Sequence, residues 1–288
     1  MAARKARGVS GGVNRAGGGT RYGCVAGIQA RTSSTRLPGK VLADLGGKPL
    51  IQRVYERTCA AELLDEVFVL TSSDPSDDAL AAVLAERDIP FRRGSLGDVR
   101  SRYLELAEVS GAQYLVRVTG DCPFVAPEII DLRLGALRAL DADFIALEGN
   151  QAAAIEGTLG GQDAFSARAL RLSLASDDPR DAEHVASFFL ARRAECLARN
   201  ELEVGEIYRR PGLRLQVDEP ADLEFARIVW AACDLEGDGL FPLARAIRWI
   251  DAHPEARRLN QHVLESADNR ALRTLVRSLE PAPPRSRA

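Results

Sequence analysis

Four short apolar runs divide the first half of the chain: CVAGI (24–28), EVFVL (66–70), QYLVRV (113–118) and DFIAL (143–147). Each has the length of a strand, and the stretches between them are amphipathic and long enough for helices. Leu50, Ile51, Val54, Tyr55 and Thr58 recur at helical spacing behind Pro49, which suits a first helical position. Ser76–Arg87, opened by Asp74-Pro75, and then Asp98–Ser110 and Pro127–Leu140 repeat the pattern. Strands this uniformly apolar are buried on both faces, so the alternation predicts an α/β fold with a mostly parallel sheet covered by helices on both sides.

The second half is less regular. Gly149–Gly161 is rich in glycine and alanine and has no period. Helices are expected over Ala167–Ala175 and Arg180–Arg193, and LRLQV (213–217) reads as a late strand. A helix should follow Asp218-Glu219-Pro220 and run to about Trp230, and Leu240–Ala252 and Pro254–Leu279 read as a C-terminal helical appendage. The expected organisation is a tail over 1–22, a main domain over 23–234, the appendage over 235–280 and a frayed end over 281–288. No internal repeat is visible.

Charge narrows the function. The formal net charge is -3, but the first 22 residues hold Arg4, Lys5, Arg7, Arg15 and Arg21 and no acid. Beyond them 33 basic residues face 41 acidic ones, which argues against general nucleic-acid binding. The five cysteines are dispersed without CxxC spacing, as expected of reduced thiols in the cytoplasm. No apolar run reaches the roughly 18 residues of a membrane span. The arginine-containing N-terminus is followed by no apolar core, so it reads as a basic Gly-rich tail and not a secretory signal.

Ligands of doubly wound sheets bind beyond the carboxyl ends of the strands, and three loops there carry suitable groups. The first follows CVAGI and holds Arg31, Ser33, Ser34, Thr35, Arg36, Gly39 and Lys40. Arginine grips phosphate in a bidentate manner, lysine acts as a point charge, and a small-residue backbone brings amide donors close. An ordinary solvated loop accounts for the same residues, and neither GxxxxGK[ST] nor GxGxxG is present. In the second loop Asp121 ends QYLVRV ahead of Pro123, as a Mg²⁺ ligand or as a turn-capping aspartate. Cys122 has no nearby histidine and reads as a packed side chain rather than a nucleophile. In the third, Asp218 ends LRLQV, as a second metal ligand or as a helix N-cap. One cationic loop and two carboxylates at one sheet edge point to a metal–triphosphate site.

The stretches "IQARTSSTRLPGKVLADLGGKPLIQRVYER", "DEVFVLTSSDPSDDAL", "FRRGSLGDVRSRY", "VRVTGDCPFVAPEIID" and "LQVDEPADLEFAR" together resemble the cytidylyltransferase superfamily. That group includes the CMP-Kdo synthetases and acylneuraminate cytidylyltransferases, and the chain is most similar to the spore coat polysaccharide biosynthesis protein F family. The resemblance runs from about Cys24 to His262, and "WIDAHPEARRLNQH" belongs to it.

The resemblance implies a Rossmann-like nucleotidyltransferase fold, with CMP passing from CTP to an acidic or phosphorylated sugar-like acceptor and pyrophosphate released. It implies Arg31, Lys40 and Arg36 on the triphosphate, with Arg31, Lys40 and Asp121 as the catalytic set. Gln29, Ala30, Ser34, Thr119 and Gly120 would complete the nucleotide pocket, and Asp121 and Asp218 would hold Mg²⁺. Gln162, Asp163, Glu183 and His184 would face the acceptor. It also implies a homodimer.

Two stretches depart from the family pattern. "GTLGGQDAFSARAL" lacks a proline and has Gly161 and Asp163 where Asp and Glu are expected, and "DPRDAEHVASFF" has Ala182 where Arg is usual. Both fall on the acceptor side. They leave open a catalytically silent nucleotide-binding relative. A glycosyltransferase using a nucleotide sugar is a further alternative, although Asp121-Cys122-Pro123 lacks the second acid of a D-x-D site. His184 fits either acceptor contact or a helix histidine satisfied by its neighbours.

Overall fold

A computed structural model describes residues 23–147, 158–191, 196, 198–202 and 204–263. Its centre is a seven-stranded sheet. The strands are β1 (Cys24–Gln29), β4 (Glu66–Ser72), β5 (Phe91–Gly94), β6 (Tyr114–Thr119), β7 (Phe144–Leu147), β8 (Gln162–Ser166) and β9 (Ala198–Leu202), in the order β5-β4-β1-β6-β8-β7-β9. The first four in that order are parallel. β8 runs antiparallel to both of its neighbours, and β7 pairs with β9 in parallel. A small hairpin, β2 (Asp44–Leu45) with β3 (Lys48–Pro49), follows the first loop.

Side chains alternate through the sheet into two cores. Ala26, Ile28, Val67, Val69, Val116 and Val118 face α1 (Leu50–Cys59), α2 (Asp78–Glu86), α4 (Pro127–Leu140) and α8 (Pro220–Cys233). Val25, Leu70, Leu115 and Phe165 face α3 (Val99–Ser110), α5 (Ala167–Leu172), α6 (Pro179–His184) and α7 (Ala186–Ala191). Crossovers on opposite faces carry the chain from β1 outward to β4 and back across to β6. The order therefore reverses between β1 and β6, where a doubly wound sheet opens a crevice.

Four expected strands form within a residue or two of their sequence bounds, and α3 and α4 match closely. Other expectations change. Pro49 belongs to β3, and α1 starts at Leu50. The helix expected over Arg180–Arg193 is broken at Val185, whose φ of 48° lies in the left-handed region. Residues 213–217 form no strand: they run extended beside the sheet, with Val217 N–H donating to Asp121 O at 2.8 Å. Asp218 consequently does not end a strand. The helix begun at Pro254 stops at Arg257 (α10) and gives way to turns, and residues from 264 on lie outside those described. Most of Gly149–Gly161 lies outside them as well.

The segment after α8 packs on the same core as the sheet. Phe241 and α9 (Leu243–Ala252) contribute Leu243, Ala246, Ile247 and Ile250 to it. Phe241 meets Trp230 edge-on at 5.1 Å, and Phe124 at 6.3 Å. Arg57, 1% exposed, donates to Val125 O, Gly239 O and Phe241 O and so fastens this segment to the loop beyond β6.

Gly27 explains how β1 lies beneath α3. Tyr103 crosses over it and donates its hydroxyl to Gly27 O at 2.8 Å. A Cβ there would stand 2.6 Å from both Leu70 Cδ1 and Tyr103 Cε1. Gly27→Ala is expected to cost about 1–3 kcal/mol of stability through overpacking. Urea unfolding should register it as a lowered midpoint with an unchanged slope.

Candidate active site at the β1–β6 crevice

β1 and β6 pair in register to their ends, with Gln29 opposite Thr119. Gly120 N–H then donates to Gln29 O at 2.8 Å, which leaves Asp121 just past the strand ends. The loop after β1 turns back on itself: Ser34 N–H and Gly39 N–H both donate to Thr32 O, at 2.9 and 3.0 Å. Gly39 has a φ of 70° with nothing near its would-be Cβ, so the left-handed turn and not a close approach calls for glycine. A single 3₁₀ turn, Lys40–Leu42, follows and aims Lys40 inward.

Lys40 Nζ lies 2.5 Å from Asp121 Oδ2 and 2.8 Å from Asp218 Oδ1, with its side chain only 9% exposed. Burial by itself would push this ammonium's pKa down. Asp121 and Asp218 outweigh it and hold the pKa above the usual lysine range. Burial would likewise raise Asp218, yet Lys40, Arg214 and Arg36 keep its carboxyl below the usual range. Both shifts favour the charged forms. Arg36 reaches Asp218 Oδ2 at 2.9 Å and Glu219 at 3.6 Å.

A buried network holds Asp218 from behind. Arg214 pairs with Asp218 and, at 3.1 Å, with Asp222. Asp222 accepts from Asp218 N–H at 3.0 Å, Glu219 N–H at 3.1 Å and Asn260 Nδ2 at 2.9 Å. The N-cap of α8 is therefore Glu219, in a capping box with Asp222, and not Asp218. Gln216 Nε2 donates to Asp121 Oδ2 at 3.3 Å.

The remaining expected residues divide. Ala30 is buried beside the crevice, with N–H donating to Leu70 O. Ser34 Oγ accepts from Leu37 N–H at 3.4 Å within the loop. Thr119 Oγ1 stands 2.9 Å from Cys122 Sγ, and burial pushes that thiol's pKa well up, away from the thiolate. Arg31 pairs at 3.5 Å with Glu183, both half exposed. Gln162 is 1% exposed and accepts from Ala126 N–H just ahead of α4. Asp163 is held by Arg117 at 2.9 Å, and Arg117 also donates to Gln29 Oε1. His184 closes α6.

Sequence reasoning missed Arg214, Asp222, Gln216 and Asn260, all ordinary polar residues without motif spacing. It also missed Asp77, fully buried, which accepts from Thr32 N–H at 2.7 Å and anchors the first loop. The "DPSD" turn after β4 was its only signal.

The cytidylyltransferase family model matches residues 25–177. The chain is 31% identical to the Bacillus subtilis spore coat polysaccharide biosynthesis protein SpsF over 70% of its own length and 84% of that protein's. It is 41% identical to a 3-deoxy-manno-octulosonate cytidylyltransferase of Geobacter sulfurreducens, over 38% of this chain and 43% of that one. A cytidylyltransferase structure from Leptospira borgpetersenii superposes with a TM-score of 0.71 at 22% identity, covering 85% and 98% of the two chains.

Asp222→Asn places an amide donor among four donors in a buried network. It should cost about 3 kcal/mol, as when one partner of a buried ion pair is removed. Thermal and urea unfolding would both report the loss.

Proposed function

From the premise that this chain belongs to the cytidylyltransferase family, we propose that it transfers CMP from CTP to an acidic or phosphorylated sugar-like acceptor and releases pyrophosphate. The observation that carries this reading is the convergence of Lys40, Asp121, Asp218 and Arg36 at the crevice between β1 and β6.

The reaction needs positive charge along a triphosphate and a route for the leaving pyrophosphate. Lys40 and Arg36 supply the cations, Lys40 as a compact charge and Arg36 as a fork suited to phosphate oxygens. The acceptor hydroxyl attacks the α-phosphorus and releases its proton to solvent, the new O–P bond forms, and the α–β bridging bond breaks with its electron pair leaving on pyrophosphate. Most of the catalysis is alignment and charge stabilisation.

Asp121 and Asp218 suit Mg²⁺. Both are hard oxygen donors, and an oxygen of each already points at a single cation position, the one Lys40 fills. No group of three or more His, Cys, Asp or Glu able to hold a metal occurs among the described residues. Mg²⁺ commonly takes only one or two protein carboxylates and completes its shell with phosphate and water, so two suffice. A bound ion there would neutralise charge on the phosphate oxygens. Asp121 and Asp218 are the residues that would orient it.

For the acceptor side we retain Gln162, Asp163, Glu183 and His184, of which Glu183 lies 3.5 Å from the triphosphate candidate Arg31. The relation to the spore coat polysaccharide protein supports a place in surface polysaccharide synthesis. No described helix is long and apolar enough to cross a membrane. We place the reaction in the cytoplasm, which the dispersed cysteines without CxxC spacing support, and assign it to a homodimer.

Incubation with CTP, Mg²⁺ and a set of acidic and phosphorylated sugars should release pyrophosphate with one of them and yield a CMP-linked product. Asp121→Asn and Asp218→Asn should each lower kcat by about 10²–10³, the scale of losing one charge-stabilising group. Their circular dichroism should stay native. Lys40→Ala should weaken CTP binding. Full turnover by either aspartate variant would refute the metal assignment.

A further inference from the structure

Lys40 and a divalent metal compete for one position. Its Nζ lies 2.5 Å from Asp121 Oδ2 and 2.8 Å from Asp218 Oδ1. A Mg²⁺ ion held by those same oxygens at roughly 2.0–2.1 Å would occupy the same space. Both oxygens of Asp218 and Oδ2 of Asp121 are committed, while Asp121 Oδ1 meets only the Cys122 thiol at 3.8 Å. Asp218 Oδ2 takes Arg36 and Arg214, and Asp121 Oδ2 also takes Gln216. With the lysine side chain 9% exposed and Asp218 8% exposed, little water intervenes to screen two adjacent cations.

Charge counting gives the same result. Asp121, Asp218, Glu219 and Asp222 meet Lys40, Arg36 and Arg214 in this cluster, so the site is close to neutral as it stands. Without Lys40, Asp121 would keep only the neutral Gln216 as a side-chain donor, while Asp218 would keep Arg36 and Arg214, so the pair would carry less compensating charge. Adding a metal ion with Lys40 still in place reverses the balance.

The geometry points to Lys40 as a resident counter-ion that excludes divalent metal from the Asp121–Asp218 pair until a polyphosphate draws the ammonium away. This rests on the reading of those two aspartates as metal-holding residues. A polyphosphate provides what the ammonium lacks elsewhere, namely anionic oxygens within reach of a flexible four-carbon stem. Lys40 thus has one partner set in Asp121 and Asp218 and another in the oxygens of a bound polyphosphate. Metal and nucleotide binding become linked, each raising the other's affinity by the same factor.

Mn²⁺, followed by the intensity of its free-ion paramagnetic resonance signal, tests the idea without any turnover. Wild-type protein with no nucleotide should bind Mn²⁺ weakly. Lys40→Met removes the ammonium and keeps the stem, and it should tighten Mn²⁺ binding about tenfold or more, as relief of a like-charge contact allows. Adding Asp121→Asn to it should abolish the gain. Lys40→Gln serves the same purpose if the Met variant does not fold.

A folded Lys40 variant that binds Mn²⁺ no more tightly than wild type would overturn the inference. Failure of the underlying reading looks different. In that case Mn²⁺ retained by wild-type protein with CTP would be unchanged by Asp121→Asn. If Asp121→Asn does weaken that ternary binding while Lys40→Met gains nothing, the metal reading stands and the counter-ion role falls.

Discussion

One ammonium between two carboxylates organises the functional edge of this protein. Asp121 and Asp218 lie 81 and 178 residues beyond Lys40 in the chain, so the contact closes two long loops at once. Each participant is delivered by a different device. A left-handed glycine turns the loop after β1 toward the crevice, and the register of β1 with β6 sets the height of Asp121. The extended segment 213–217 brings Asp218 across by bonding to the backbone of Asp121 itself. Mutual attraction in a partly dry setting holds the Lys40 pKa above the usual lysine range and the Asp218 pKa below the usual carboxylate range, despite the burial that opposes both.

Behind this triad lies a second ring of polar contacts that never reaches the crevice. Asp222, fully buried, ties the backbone at Asp218 and Glu219 to Arg214 and to Asn260. Arg57 does comparable work beneath the loop that carries Asp121, bonding to Val125 on one side and to Gly239 and Phe241 on the other. Buried charge of this kind contributes little net stability but punishes misplacement, since an unpaired partner is costly. Its effect is to tie the backbone at Asp218 and the loop carrying Asp121 to the segments packed behind them.

Much of the fold was legible because buried parallel strands leave nearly continuous apolar runs. β1, β4 and β6 announce themselves in this way. β5, an edge strand reading FRRG, and β8, reading QDAFS with a buried Gln162, carry polar residues where the pattern expects apolar ones. The error at 213–217 is instructive. Leu213, Leu215 and Val217 alternate because one side of the segment is buried, and alternation reports burial without reporting a ladder partner. The break at Val185 has no Gly or Pro to mark it. At the site, the charged residues with motif spacing were readable. Arg214, Asp222 and Asn260 were not, since their importance comes from long-range packing. Arg31 was legible as a cation but not in its direction, because Glu183 lies 152 residues away.

The Asp222–Asn260 contact has a further consequence for how the protein is made. The two residues are 38 positions apart, so the carboxylate leaves the ribosome well before the amide that satisfies it. Arg57 waits longer still for the carbonyls of Gly239 and Phe241, 182 and 184 residues downstream. The full partner sets of Arg57 and Asp222 therefore exist only once the chain has extended through Phe241 and Asn260.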